Sequence, residues 1–212
     1  MGRANEVFLS VQDYRLLTLS DVERAARVIS QAYVDDPLCA FMLPFRGTRT
    51  NTLFKFFRVL GEVSIKNKRG YGVGDPLVGV AYWKFPDQES MSISVKSLKS
   101  FVPLLFTFYP IGYFRAKAVL RQIDTLHQKH ADEPHFYLDN LGVLPSARGK
   151  GVSSKLIRPF LAMADAQKVI AYTDTVTRSN VALYKHFGFQ CVEESAIAGA
   201  GLTVWALRRP AQ

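Results

Sequence analysis

A strand, a basic glycine-containing turn and a helix follow one another directly in the second half of the chain, and this succession limits the folds open to it. Residues 135–143 have the length and the apolar, aromatic composition of a buried strand. Apolar side chains then recur at helical spacing over residues 155–167. The turn leaves backbone N–H groups unpaired at a helix start, where the helix dipole adds positive charge to that of Arg148 and Lys150. Residues 141–154 are therefore predicted to bind a phosphate or pyrophosphate group.

Two common phosphate-binding motifs do not fit this turn. The P-loop template fails because Gly142 and Gly149 are too far apart, and because the Gly-Lys pair is followed by Gly151 instead of Ser or Thr. The dinucleotide fingerprint matches only in part, with Asp174 about twenty residues beyond the turn. In that fingerprint Ser154 would replace the third glycine, and only one crossover unit follows. The turn therefore belongs to a different class of phosphate site.

The other periodic segments predict one α/β domain. With 212 residues, of which 48% are hydrophobic, the chain is long enough for one well-packed core. No linker or repeat divides it, so a short tail over residues 1–13 is expected to precede a single domain over residues 14–210. Strands are also predicted at 14–17, 71–74, 77–85, 169–173, 189–193 and 202–207, and helices at 20–34, 50–67, 116–130 and 178–187. The strand at 77–85 is apolar on both faces, which indicates a central position.

An insertion is predicted at about residues 90–130. Its segment 101–114 carries no charge, is dense in aromatic residues and contains Pro103 and Pro110. It is shorter than the roughly twenty apolar residues that a membrane-spanning helix needs, so we expect no membrane association. Core packing of an inserted helix pair is the favoured interpretation. A hydrophobic lid over a substrate pocket is the alternative.

The net charge limits the kinds of molecule that the protein is expected to bind, and the cysteines indicate its compartment. A net charge of +9 fits attraction of a polyanionic small molecule, nucleic-acid binding or a solvated basic surface. The chain has no long basic run and no RNA-binding aromatic signature, which disfavours nucleic acid. Cys39 and Cys191 match no metal or redox spacing and are typical of reduced thiols in a cytoplasmic protein. Residues 1–13 lack the apolar core of a signal peptide.

Some polar residues admit two interpretations. Asp35 and Asp36, followed by proline, form a helix-ending turn or line a pocket for a cationic substrate. His127 and His130 lie near the polar end of a predicted helix. We expect both to be solvated, because no third residue accompanies them as a metal ligand.

Two motifs carry a family resemblance. Residues 148–153, Arg-Gly-Lys-Gly-Val-Ser, fit the pattern Arg/Gln-x-x-Gly-x-Gly/Ala with Ser153 in the last small position. Here the chain resembles the GCN5-related N-acetyltransferase (GNAT) superfamily, whose pyrophosphate loop for acetyl-coenzyme A (acetyl-CoA) carries this pattern. Asn180, Tyr184 and the Gly-Phe pair at 188–189 are similar to the second signature of that superfamily. Residues 172–180 and 202–209 are similar to its puromycin acetyltransferase-like branch.

The resemblance implies a fold and an activity. The fold would be the α/β GNAT fold, a mixed central sheet of about six to seven strands flanked by helices, with a helical insertion before the fourth strand. The activity would be transfer of the acetyl group of acetyl-CoA to a primary amine of a small molecule through a ternary complex, without a metal. A protein or peptide amine as acceptor, or a non-catalytic CoA-binding module, remains the alternative. A homodimer is left open.

The resemblance also assigns residue roles. Tyr184 would be the general acid for the leaving thiolate. Asp174 and Asp139 are equal candidates for the base that deprotonates the amine, with Glu133 and His135 as outer candidates. The cofactor-binding residues would be Leu141, Gly142, Val143, Arg148, Gly149, Lys150, Gly151, Val152, Ser153, Ser154, Asn180 and Tyr184.

Overall fold

The protein is built on one twisted sheet, and its structure, a computed structural model, describes residues 14–86 and 111–212. The strands are β1 (Arg15–Leu16), β2 (Gly70–Val73), β3 (Gly79–Lys84), β4 (His135–Val143), β5 (Ile170–Thr175), β6 (Gln190–Ile197) and β7 (Leu202–Arg209). The helices are α1 (Val22–Tyr33), α2 (Pro37–Met42), α3 (Arg46–Lys66), α4 (Ile111–His130), α5 (Val152–Gln167) and α6 (Arg178–His186). These strands form a seven-stranded mixed sheet flanked by helices, which confirms the predicted fold class.

The strand order is β1-β2-β3-β4-β5-β7-β6. The pairs β1–β2, β2–β3 and β3–β4 are antiparallel, and β7 lies antiparallel between β5 and β6. The one parallel pair in this sheet is β4 with β5, and α5 supplies the crossover between them. β3 lies between β2 and β4 and is almost entirely buried, so its predicted central position is confirmed.

Helices cover both faces of the sheet because central strands such as β3 present apolar side chains to both. On one face α5 packs through Phe160, whose ring stacks on Trp83 with the centroids 5.0 Å apart. The indole N–H of Trp83 donates to the backbone carbonyl of Leu156 at 3.0 Å, which satisfies its one buried donor. On the other face α1 and α3 pack on β3 around Ile29 and Tyr82, and α4 packs on β5 to β7. Helices therefore pack on both faces of the sheet around the point where β4 meets β5.

β4 and β5 separate soon after they meet. Residues 135–137 of β4 pair with residues 170–172 of β5, and the Thr173 hydroxyl then donates to the Leu138 carbonyl at 3.0 Å. Beyond that bridge β4 continues to Val143, and β3 is its only neighbouring strand among the described residues. The two strands thus diverge into a gap that opens toward the start of α5.

The insertion contributes α4 immediately before β4, in the place that the sequence predicts. This helix begins at Ile111, five residues earlier than the predicted residue 116. Residues 87–110, which include most of the aromatic segment 101–114, lie outside the described residues. None of the helices formed by the described parts of the chain combines the length and the apolar composition needed to cross a bilayer.

Candidate functional site

The turn between β4 and α5 leaves its backbone open to an incoming ligand. Gly149 and Gly151 have positive φ angles of +73° and +76°, a conformation that L-residues adopt only with strain. Gly151 is the N-cap residue of α5, and no side chain caps this helix start. A Cβ built on either glycine would meet no protein atom within 4 Å. Uncapped N–H groups at the positive end of α5 therefore face open space, which is the arrangement that binds anions.

A cavity of about 1450 Å³ runs from this turn through the gap between β4 and β5 to α2, α3 and α4. We call it the central cavity. It brings together most of the residues predicted to bind the cofactor or to act in catalysis. Those that line it are Asp139, Leu141, Val143, Arg148, Gly149, Gly151, Val152, Ser153, Ser154, Asp174, Asn180 and Tyr184.

Four of the predicted residues lie outside the central cavity. A Cβ on Gly142 would lie 3.0 Å from the Ile29 Cα, so this glycine serves the packing of β4 against α1. Lys150 is exposed on the outer side of the turn. Of the outer base candidates, Glu133 forms an ion pair with Arg208, and the His135 imidazole contacts the ring of His127. Neither outer candidate lines the central cavity.

Asp174 is a half-buried carboxylate at the far end of β5, where the gap opens. Burial raises the pKa of Asp174 from its ordinary value of 3.8 to about 6, although a hydrogen bond from Tyr137 acts in the opposite direction. In that bond the Tyr137 hydroxyl donates to Oδ2 at 2.9 Å. A carboxylate with a pKa near 6 is still ionised at neutral pH, and it accepts a proton more readily than an ordinary aspartate. Asp174 is therefore a candidate for the general base.

Asp139 has a different environment although it lines the same cavity. Lys84 Nζ lies 2.9 Å from its Oδ1, and the Asn140 side-chain amide donates to its Oδ2 at 3.2 Å. Both oxygens are thus engaged. Lys84 and Tyr137 are polar residues beside these two carboxylates that the sequence patterns did not indicate. The one charge at the end of the apolar run 77–85 is the signal that could have indicated Lys84.

Tyr184 lies on α6 with only 5% of its surface exposed, and it lines the central cavity. Burial raises the pKa of Tyr184 above its ordinary value of 10, while the Thr173 hydroxyl opposes the shift through a hydrogen bond. The phenol is therefore protonated at neutral pH and able to donate. Asn180, one helical turn earlier, donates to the Thr175 hydroxyl at 3.3 Å and also borders the cavity.

Other residues contact the predicted cofactor-binding groups. The Tyr33 hydroxyl, from the end of α1, accepts the Leu141 N–H at 3.4 Å. Tyr33 was assigned to the helical apolar pattern of α1, so its place in the cavity did not emerge from the sequence. At the turn, Arg158 Nε donates to the Ser154 hydroxyl at 2.7 Å.

The far end of the central cavity is lined by α2, α3 and α4. Asp36 caps α2 by accepting the Leu38 N–H at 2.9 Å, and it also lines the cavity beside Asp35. Both interpretations of this aspartate pair are thus compatible with the structure. The expectation that His127 is solvated holds only in part, because this half-buried residue packs its ring on Tyr172 with centroids 5.0 Å apart.

His130 is half-buried as well. Its Nε2 lies 2.5 Å from a carboxylate oxygen of Glu193, so it ties α4 to β6. Across residues 14–86 and 111–212, no group of three or more His, Cys, Asp or Glu side chains is placed to hold a metal ion.

Comparison with known proteins identifies the family to which this chain belongs. Residues 81–189, just over half of the chain, match the family model described as the acetyltransferase (GNAT) family. An uncharacterised N-acetyltransferase of Schizosaccharomyces pombe is 25% identical over 177 residues, which cover 80% of this chain and 70% of that protein.

Two solved structures share the fold. One is a Corynebacterium glutamicum protein described as histone acetyltransferase HPA2 and related acetyltransferase, with a TM-score of 0.61, 21% identity and coverage of 94% of this chain and 96% of that one. The other is the polyamine N-acetyltransferase of Drosophila melanogaster, which forms N-acetylagmatine. It has a TM-score of 0.62, 12% identity and coverage of 93% and 98%.

Proposed function

Because this chain belongs to the GNAT acetyltransferase family, we propose that it transfers the acetyl group of acetyl-CoA to a primary amine of a small molecule through a ternary complex. The observation that carries the proposal is the shared cavity of Asp174 and Tyr184, which extends to the uncapped turn at the start of α5. The cavity thus joins an anion site, a base and an acid. These are the groups that acetyl transfer from a thioester to an amine requires.

The residues of the turn fit the pyrophosphate of CoA. Two glycines in the left-handed conformation keep side chains away from the N–H groups at the start of α5, and Arg148 adds a charge beside them. No strand in the described part of the chain pairs with β4 beyond Leu138 on the side of the gap, so the backbone there can pair with an extended ligand as a further strand would. Leu141 and Val143 of this segment line the central cavity together with Asn180.

Bound acetyl-CoA would supply the thioester, and the side chains would move the protons. Asp174 accepts a proton from the ammonium form of the acceptor, since its raised pKa lies between those of an ordinary carboxylate and an amine. The Tyr184 hydroxyl donates a proton to the sulfur that leaves, since burial keeps the phenol protonated, and the second proton lost by the attacking nitrogen restores the phenol. We prefer Asp174 over Asp139 as the base because both oxygens of Asp139 are already engaged.

The size of the central cavity supports a small acceptor. A volume of about 1450 Å³ exceeds that of a typical pocket for one small ligand, about 300–1,000 Å³. The space therefore suits two ligands in line. Beyond Asp174 it is walled by α2, α3 and α4, with apolar side chains such as Leu38, Phe56 and Ile123. Such walls favour a small molecule with apolar parts over an extended protein segment.

An acceptor screen tests the proposal. CoA release from acetyl-CoA would be measured with small amines, namely diamines, polyamines and arylalkylamines, and with peptides that present a free N-terminus or a lysine. We expect at least one small amine to give a kcat/KM of about 10⁴ M⁻¹s⁻¹ or more. Turnover on the peptides alone would favour the protein acceptor, and CoA binding without turnover on any amine would favour the non-catalytic module.

A glycine substitution tests the anion site separately. Gly151→Ala is expected to weaken CoA binding about tenfold or more, because the left-handed backbone that it disfavours holds the N–H groups of the turn. Isothermal titration with CoA measures the effect. Gly199→Ala is the matched control: Gly199 has a similar φ of +71° and equally open space, and it does not line the central cavity. Equal CoA affinity in the two variants would contradict the assignment of the turn.

A further inference from the structure

Tyr137 is buried at the last residue of β4 that pairs with β5. Its hydroxyl crosses from β4 to donate to Asp174 Oδ2 at 2.9 Å, just where the two strands begin to separate. The phenol is 7% exposed. Burial and the neighbouring Asp174 raise the pKa of Tyr137 well above its ordinary value, so the hydroxyl keeps its proton and is always the donor in this bond.

An ion pair flanks the same bond. Lys84, on β3, lies 2.9 Å from Asp139 on β4, and its Nζ also lies 4.7 Å from the centre of the Tyr137 ring. The pair therefore places one positive and one negative charge close to Asp174. Their effects on Asp174 oppose each other, since Asp139 raises the pKa of Asp174 and Lys84 lowers it.

We propose that Tyr137 is a positioning residue that fixes the Asp174 carboxylate at the mouth of the gap, and that the Lys84–Asp139 pair sets the charge balance around it. The inference rests on the proposed function in taking Asp174 as the base. It gives Asp139, which the sequence ranks equally with Asp174, the separate role of a neighbouring charge. No direct contact of Tyr137 with the reacting atoms is required.

The surrounding elements carry other titratable groups. Tyr184 lies on α6, and His127 on α4 packs against the ring of Tyr137 with centroids 4.4 Å apart. Burial, followed by the charges of His135 and Lys84, lowers the pKa of His127 to about 4, so it is neutral in the range where Asp174 titrates. Tyr172 precedes Asp174 by two residues on β5, and its hydroxyl makes no hydrogen bond with the described residues. Tyr184, His127 and Tyr172 therefore each keep one charge state over the pH range in which Asp174 titrates.

Two substitutions should move the titration of Asp174 in opposite directions. Tyr137→Phe removes a hydrogen bond to the charged carboxylate and is expected to raise the pKa by about one unit. Asp139→Asn removes a like charge and leaves Lys84 unbalanced, so the pKa is expected to fall by about half a unit or more. Carboxyl ¹³C NMR of the ligand-free protein, with the resonance assigned by its absence in Asp174→Asn, measures both shifts.

Tyr172→Phe is the matched control, because it removes a buried phenol oxygen from the same cluster without removing a hydrogen bond. We expect it to leave the titration unchanged. The inference is wrong if Tyr137→Phe titrates as the wild type does, or if Asp139→Asn shifts upward. If Tyr137→Phe does not fold, the sign of the Asp139→Asn shift still decides the charge-balance part.

The pH profile of kcat/KM separates this inference from the proposed function. If Asp174 is the base, the acidic limb moves with the NMR titration in each variant. If the resonance shifts as expected while the limb stays in place, the positioning inference stands and the assignment of Asp174 as the base fails.

Discussion

Tyr184→Phe is expected to lower kcat about 10²–10⁴-fold, the range typical for loss of a positioned general acid. The substitution removes one hydroxyl from a buried ring that packs against Phe189 with centroids 5.8 Å apart, so the packing of α6 is preserved. CoA affinity should change little, because the turn proposed to bind the pyrophosphate is untouched. Steady-state kinetics with a saturating acceptor, together with isothermal titration of CoA, measure the two quantities.

Tyr172→Phe serves as the control for this loss as well. Tyr172 lies on β5 and is fully buried, and its hydroxyl has no hydrogen-bond partner among the described residues. We expect its kcat to stay within about twofold of the wild type, since no proton donor to the reaction is removed. A Tyr184→Phe enzyme as active as Tyr172→Phe would exclude Tyr184 as the acid.

Asp174→Asn is expected to reduce kcat/KM by about 10²–10⁴-fold and to abolish the acidic limb of its pH profile. In the wild type the limb should lie near pH 6, because burial raises the pKa of Asp174 to about 6 and the base is lost once it is protonated. Asp139→Asn should keep an acidic limb. A limb that persists in Asp174→Asn and vanishes in Asp139→Asn would reverse the assignment of the base.

The same substitution should stabilise the protein at alkaline pH. The folded protein binds a proton at Asp174 more tightly than the unfolded chain does, since the pKa rises from 3.8 to about 6 on folding. The stability linked to this proton is fully present below the unfolded pKa and is lost as the pH rises through the folded pKa. Asp174→Asn should therefore unfold at a higher Tm than the wild type at about pH 8 and at a similar Tm at about pH 4.

Local patterns in the sequence predicted the elements that frame the site. β4 has the bounds expected from its apolar run at 135–143. α5 starts at Val152, three residues before the predicted residue 155, because the left-handed Gly151 lets the helix begin directly after the turn. Strand and helix periodicity, glycine conformation and helix-end chemistry act within a few residues, so they can be read from the chain alone.

Contacts between distant segments could not be predicted in this way. The sequence ranked Asp139 and Asp174 equally, and the difference between them comes from Lys84, which lies 55 positions before Asp139. His127 was expected to be solvated because no third residue accompanies it and His130 as a metal ligand. Its partial burial depends on how α4 packs on β4 and β5, which the helical pattern does not specify.

The early separation of β4 from β5 divides the sheet into two half-sheets, β1 to β4 and β5 to β7. The two half-sheets are joined where β4 meets β5. This joint consists of the pairing of residues 135–137 with residues 170–172 and of the hydrogen bond from Thr173 to Leu138. A ligand that pairs with the free edge of β4 and also contacts α6 lies across this joint. Binding of the acetyl donor would then hold the two half-sheets together. The donor-bound protein, which is ready for catalysis, would therefore unfold more cooperatively than the free protein.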